Sequence, residues 1–113
     1  MTTIASTDNP RFRDLAKLQQ SGRERRKSGL ALLEGVHLVE AYHQQRGLPE
    51  QLIVNTERRH EAEIEALLTA LAPLEALEFS AKLFARLSSV ETPTGILALI
   101  KAPTRSTIPA QPG

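Results

Sequence analysis

The sequence predicts an α/β fold: a mainly parallel sheet with helices on its faces. Two observations carry that expectation. Short apolar runs at 30–34, 52–54 and 95–101 read as strands, and between them lie segments whose apolar residues recur every three or four positions. The two kinds of segment alternate along the chain, which is the pattern of strand–helix–strand units. A length of 113 residues fits one small domain.

The first helix is expected in "STDNPRFRDLAKLQQSG". Asp8 or Asn9 can accept hydrogen bonds from the free N–H groups of a first turn, and Pro10 suits a position where a missing N–H costs nothing. Phe12, Leu15, Ala16 and Leu18 then form one apolar stripe, and Gly22 reads as its stop. The basic run 23–27 reads as a loop. "LALLEG", flanked by Gly29 and Gly35, reads as a strand buried on both faces. "VHLVEAYHQQRG" follows as a helix with Val36, Leu38, Val39 and Tyr42 inward.

"EQLIVNT" reads as a second strand. "RRHEAEIEALLTALAP" is a helix with Ile64, Leu67, Leu68 and Leu71 in one stripe, glutamates in its first turns and Pro73 past its end. "LEALEFS" partly alternates and reads as a third strand. "SAKLFARLSS" is a short helix capped by Ser80, with Leu83, Phe84 and Leu87 inward. "GILALIK" closes the domain as the last strand. The expected domain spans 1–101. Residues 102–113 hold three prolines and no apolar period, so they read as a linker or tail.

Composition narrows the function classes. Hydrophobic residues make up 41% and charged residues 24%, a globular balance; aromatics are only 4% and Trp is absent, so the core is aliphatic. There is no Cys, which excludes disulfide and thiolate chemistry. No apolar run approaches the roughly 20 residues of a membrane span, and a cytoplasmic location is the default expectation. Charge is uneven. Residues 1–30 carry seven basic groups against three acidic ones, while residues 31–113 carry seven against ten. A basic end points to an anionic partner; the plainer reading is a solvated helix face and a basic loop.

Catalytic motifs are missing. His37, Glu40 and His43 share a helix face at spacings of three, but without a fourth ligand or a known signature they read as exposed helix polarity, and no metal is expected. No serine stands in a nucleophile elbow and no glycine-rich phosphate loop occurs. The chain alone is expected to be non-catalytic and to hold no cofactor. Glu34–Gly35 falls at a strand-to-helix corner, where Glu34 can accept from the next helix N-terminus or pair with an arginine of the basic run. Pro93 restricts Thr92, and Gly95 then opens the last strand.

In order, these segments resemble the start of SpoU/TrmH-type RNA 2'-O-ribose methyltransferases. Ile4, Ser6, Asn9 and Pro10 match the family's opening segment. Arg23, Arg26, Gly29, Leu32, Leu33, Glu34 and Gly35 match its Arg-x-x-(Arg/Lys)-x-Gly-x-(apolar)₃-Glu-Gly segment. "FSAKLFARLSSVETPTGILALI" matches a later one, with Thr94 where the family often has glutamine. The resemblance covers roughly residues 4–101. It implies the family's N-terminal substrate-binding domain, a three-layer α/β/α sandwich similar to ribosomal-protein and kink-turn RNA-binding folds. It further implies a separate catalytic domain that binds S-adenosylmethionine and dimerises, reached through residues 102–113.

The expected function is therefore recognition of RNA, ribosomal or transfer, for a 2'-O-ribose methyltransferase. Arg23, Arg25, Arg26 and Lys27 are the principal expected phosphate contacts, since Arg grips phosphate bidentately and Lys acts as a compact charge. Arg11, Arg13 and Lys17 extend the footprint along the first helix, and Arg86 and Thr92 add to it from the second segment. Asn9, Pro10, Glu34, Gly35, Pro93 and Gly95 are expected to shape the backbone. The alternatives are a stand-alone RNA-binding module and a module that docks on its own enzyme and touches RNA weakly.

Overall fold

The computed structural model describes residues 3–88 and 94–101. Thr92, Pro93 and the stretch 102–113 lie outside the described residues. The elements run β1 (Thr3–Ile4), α1 (Pro10–Gln20), α2 (Gly22–Ser28), β2 (Leu30–Glu34), α3 (Val36–Arg46), β3 (Gln51–Asn55), α4 (Ala62–Ala70), β4 (Ala76–Phe79), α5 (Ala81–Leu87) and β5 (Ile96–Lys101).

The five strands form one sheet in the order β1-β4-β3-β5-β2. β1 and β3 each pair with β4 in parallel, while β5 pairs antiparallel with both β3 and β2. Four strands thus share a direction and β5 runs against them. β5 is an interior strand, paired on both sides, and its apolar run Ile96–Ile100 feeds both faces. Ile96, Ala98 and Ile100 join one core with Leu52 and Val54 of β3, Val39 of α3, and Ile64, Leu67 and Leu71 on and just past α4. Leu97 joins the other with Ile53, Phe79, Phe12 and Leu15 of α1, and Leu83, Phe84 and Leu87 of α5. Alternate residues of one strand point to opposite faces, so the single sheet separates two helical layers. The result is the three-layer α/β/α sandwich.

Four expectations are corrected. The strand 30–34 is not buried on both faces; it is the edge strand β2, every residue of it partly exposed, with β5 as its sheet neighbour. A short apolar run encodes side-chain direction but not its place in the sheet order. Leu32 still faces the α1–α5 layer, and Ala31 and Leu33 face the other. Leu38 is 55% exposed rather than inward, because Val39 takes the buried position of α3. The basic run is not a loop but the helix α2. Gly22, expected as a stop, is that helix's first residue.

The reason for α2 is local. The Ser21 hydroxyl accepts from the Glu24 N–H at 3.1 Å, the N-terminal half of a Ser-x-x-Glu capping pattern. Arg and Lys are good helix formers, and Gly29 ends the helix at φ 73°, a left-handed conformation that glycine tolerates. β1, only two residues long, carries no periodic signal and was not expected.

Candidate nucleic-acid interface

The placement of each cation follows from the apolar residues that anchor its helix. In α1, the Asn9 side chain accepts from the Arg11 N–H at 2.9 Å and Pro10 opens the first turn. Phe12, Leu15 and Leu18 are buried, which leaves Arg11, Arg13 and Lys17 exposed. Arg13 and Lys17 are four apart, hence neighbours on one side of the helix. In α5, Ser80 accepts from the Leu83 N–H at 3.3 Å. Burial of Leu83, Phe84 and Leu87 leaves Lys82 and Arg86 in solvent.

α1 and α5 lie side by side, joined where the Gln19 amide donates to the Leu87 carbonyl. Between them runs a groove of about 300 Å³ lined by Thr7, Phe12, Arg13, Ala16, Lys17, Gln20 and Arg86. The fold therefore unites Arg86 with Arg13 and Lys17.

In α2 the four basic residues are not equivalent. Arg25 turns back, and its Nη1 donates to the carbonyls of Leu18 at 2.6 Å and Gln19 at 3.2 Å. These carbonyls belong to the last turn of α1, which has no intrahelical donors for its final C=O groups. Arg23, Arg26 and Lys27 project into solvent. Ion pairs among the described residues involve Arg58, Arg59 and His60, so the cations of α1, α2 and α5 have no carboxylate partner there.

The two helical layers differ in charge. α1, α2 and α5 together carry nine cationic side chains and two carboxylates. α3 and α4 carry one cation, Arg46, and three carboxylates, Glu40, Glu63 and Glu65. The basic side offers no aromatic ring: Phe12, Phe79 and Phe84 are all 5% exposed or less, and Tyr42 lies on α3.

Glu34 has a use that its sequence position did not reveal. Its carboxylate accepts from the Ser88 hydroxyl, at 2.8 and 2.7 Å to its two oxygens, and from the Thr94 N–H at 3.2 Å. It ties the end of β2 to the end of α5 and the approach to β5, instead of to the N-terminus of α3 or to the basic run. Gly35 begins α3 at φ 109° and donates to the Ile96 carbonyl. Gly95, at φ 99°, lies so close to α4 that an added Cβ would stand 2.9 Å from Ile64 Cδ1.

A second cleft, of about 460 Å³, opens at the C-terminal ends of β2 and β3, with Glu34, His37, Arg58, Glu61 and Glu63 among its lining. Here Arg58 is paired with Glu61 at 2.7 Å, and that hydrogen bond raises the guanidinium's pKa above its ordinary value. Nearby, Arg59 pairs with the buried carboxylate of Glu78, which also accepts from the Thr56 hydroxyl at 3.1 Å. Neither pair is legible in the sequence, since nothing in "ERRHE" marks which arginine turns inward. Among the described residues no group of three or more His, Cys, Asp or Glu side chains is placed to hold a metal ion. No helix there is long and apolar enough to cross a membrane.

The fold is an α/β/α sandwich, and the described cations of its helices, Arg46 apart, gather on one side. Residues 9–98 match the family model of the MRM3-like substrate-binding domain, and the chain belongs to that family. It is the substrate-binding domain found in SpoU-type RNA 2'-O-ribose methyltransferases. The chain is 30% identical to a crystal structure of an RNA 2'-O ribose methyltransferase, with a TM-score of 0.77, covering 99% of this chain and 42% of that one. It shares its fold with the SpoU methyltransferase AviRb from Streptomyces viridochromogenes in complex with AdoMet (21% identity, TM-score 0.70, 85% of this chain and 36% of that one). The same holds for an rRNA methyltransferase from Sinorhizobium meliloti (19%, 0.66, 90% and 37%). The chain thus spans about two fifths of the length of these solved proteins. No curated protein sequence matches it.

Proposed function

We propose that this chain recognises RNA for an S-adenosylmethionine-dependent 2'-O-ribose methyltransferase, with ribosomal RNA as the substrate class. The observation that carries this reading is the charge division between the two helical layers, set on a substrate-binding fold. Unpaired Arg and Lys side chains on α1, α2 and α5 meet phosphates, release counterions and so bind with a steep salt dependence. Contacts to the backbone fix register rather than sequence. With its phenylalanines in the core, the basic side favours shape and backbone recognition over base stacking.

Catalysis belongs to a separate domain on this reading. That domain holds S-adenosylmethionine, forms the homodimer and works in the cytoplasm. Leu30 pairs with Lys101, so the chain leaves β5 beside the point where α2 enters β2. A connection to a catalytic domain would therefore start from a point close to the basic helix.

The test is a titration of the 113-residue chain with labelled ribosomal RNA fragments at several salt concentrations. Replacing Arg23, Arg25, Arg26 and Lys27 with Ala should weaken binding and reduce the slope of log K against log salt by about 3. Unchanged affinity and slope would remove α2 as the contact. The chain alone should transfer no methyl group from S-adenosylmethionine to RNA, and single-turnover transfer would overturn the division of labour.

A further inference from the structure

The groove between α1 and α5 gathers three cations from two helices and no carboxylate. Arg13 and Lys17 stand one turn apart on α1, and Arg86 enters from the last turn of α5. A smaller concavity of about 240 Å³ beside α3 holds two cations, Arg46 and Lys101, and no carboxylate. The two larger ones among the described residues are different in kind. Glu34, Glu61 and Glu63 line the cleft at the strand ends, and Glu40 and Glu63 line the depression between α3 and α4. Cations held together without a counter-charge repel one another, and an anion seated among them relieves that repulsion. The Gln19–Leu87 hydrogen bond fixes the two helices against each other, so the backbone positions that carry the three charges are set before any ligand arrives. Less ordering is then required on binding.

The remaining lining narrows the ligand. Thr7 and Gln20 offer a hydroxyl and an amide at the groove's polar walls, and Ala16 and the flank of Phe12 form its apolar part. Phe12 is 5% exposed, with its ring centroid 6.1 Å from that of Phe79, so it presents no open face for a base. A space of about 300 Å³ is roomy for a bare phosphate. It matches a sugar–phosphate unit, with the two guanidinium forks and the ammonium on the phosphate oxygens.

We propose that the α1–α5 groove seats one ribose–phosphate unit of the RNA, a contact separate from that of α2. This inference rests on the reading of the chain as an RNA-recognition domain. It adds that recognition has two anchors, one on the groove and one on the exposed cations of α2.

Three variants of the 113-residue chain test it: Arg13→Gln/Lys17→Gln/Arg86→Gln in the groove, Arg23→Gln/Arg26→Gln/Lys27→Gln on α2, and all six together. The probe is a fluorescein-labelled RNA hairpin, titrated at several salt concentrations, with circular dichroism melts as a folding control. The groove variant should bind about tenfold more weakly, with a salt slope reduced by about 1, the loss of one phosphate contact. In the sixfold variant the two effects should add in log K, as for independent sites. Should the triple variant melt early, Arg86→Gln alone should still weaken binding severalfold. A groove variant that binds like the wild type while the α2 variant loses affinity overturns the groove and leaves the broader reading intact. A wild-type chain that binds no RNA overturns both.

Discussion

The Arg25 guanidinium is bonded to the Leu18 carbonyl at 2.6 Å and spans to Gln19 at 3.2 Å. Within a run of four cations it is the one that closes the C-terminus of α1 and sets the angle at which α2 leaves it. Arg25→Ala removes a charged donor and leaves two carbonyls to water, at a cost of about 1–2 kcal/mol in chemical denaturation. Arg26→Ala, at an exposed and unpaired position, should cost less than about 0.5 kcal/mol. Salt dependence should invert the ranking. Arg26→Ala lowers the slope of RNA binding, whereas Arg25→Ala leaves it nearly as steep, because its guanidinium is turned onto the α1 carbonyls rather than out to a phosphate.

The short helix α2 rests on its first hydrogen bond. Ser21→Ala removes the acceptor for the Glu24 N–H, a loss of about 1 kcal/mol for an N-cap. The penalty falls on a seven-residue helix with no buried side chain of its own. α2 should therefore fray locally while the sandwich holds. Hydrogen exchange should rise at the amides of 24–28 with little change in β3 or β5, and RNA affinity should fall with it.

Glu34 and Gly95 shape the backbone around the end of α5. Glu34→Ala removes the carboxylate that accepts from the Ser88 hydroxyl and the Thr94 N–H, and about 1–3 kcal/mol of stability should be lost in urea titration. Glu34→Gln keeps an acceptor oxygen and should recover part of that loss. At Gly95 the φ of 99° is unsuited to an L side chain, and an added methyl would press on Ile64 Cδ1 at 2.9 Å. Gly95→Ala should cost roughly 1–3 kcal/mol, and adding Ile64→Val relieves only the Cδ1 contact, since Arg58 Cβ and Cδ stand 3.2 and 3.3 Å from the same point.

Local chemistry made most of the fold readable. Asn9–Pro10 announces α1, Ser80 announces α5, and the stripes at Phe12–Leu18 and Ile64–Leu71 show which sides turn inward. The helix α2 was legible in principle from Ser21 and Glu24, but Gly22 read more simply as a stop. What remained hidden is what strand order decides. "LALLE" and "ILALI" look alike, yet one is an edge strand and the other is paired on both sides, because a strand's neighbours are chosen by the whole chain. The candidate site divides the same way. The cations of α1 and α2 stand in one basic segment and could be named from it. Arg86 joins Arg13 and Lys17 only because α5 packs beside α1, and Arg25 leaves its exposed neighbours only because α1 ends within its reach.

The buried carboxylate of Glu78 supplies a test of the opposite end of the sheet. It is 8% exposed on β4, beside Arg59 from the segment after β3 and the Thr56 hydroxyl. A charge taken out of water is costly unless paired, and removal of one partner strands the other. Arg59 keeps about a third of its side chain in water (34% exposed), so Arg59→Ala should destabilise the chain by about 1–3 kcal/mol, less than for a fully buried pair. Glu78→Gln, which removes the buried charge and keeps hydrogen-bonding capacity, should cost less. The double variant should cost less than the sum of the singles, and that coupling separates an ion pair from mere packing. RNA binding is the contrasting readout. Arg59 lies off the basic helices, with its guanidinium already committed to Glu78. At temperatures where the variant stays folded, Arg59→Ala should bind RNA with the wild-type salt slope; a slope lowered by about 1 would instead place a phosphate at this end of the sheet.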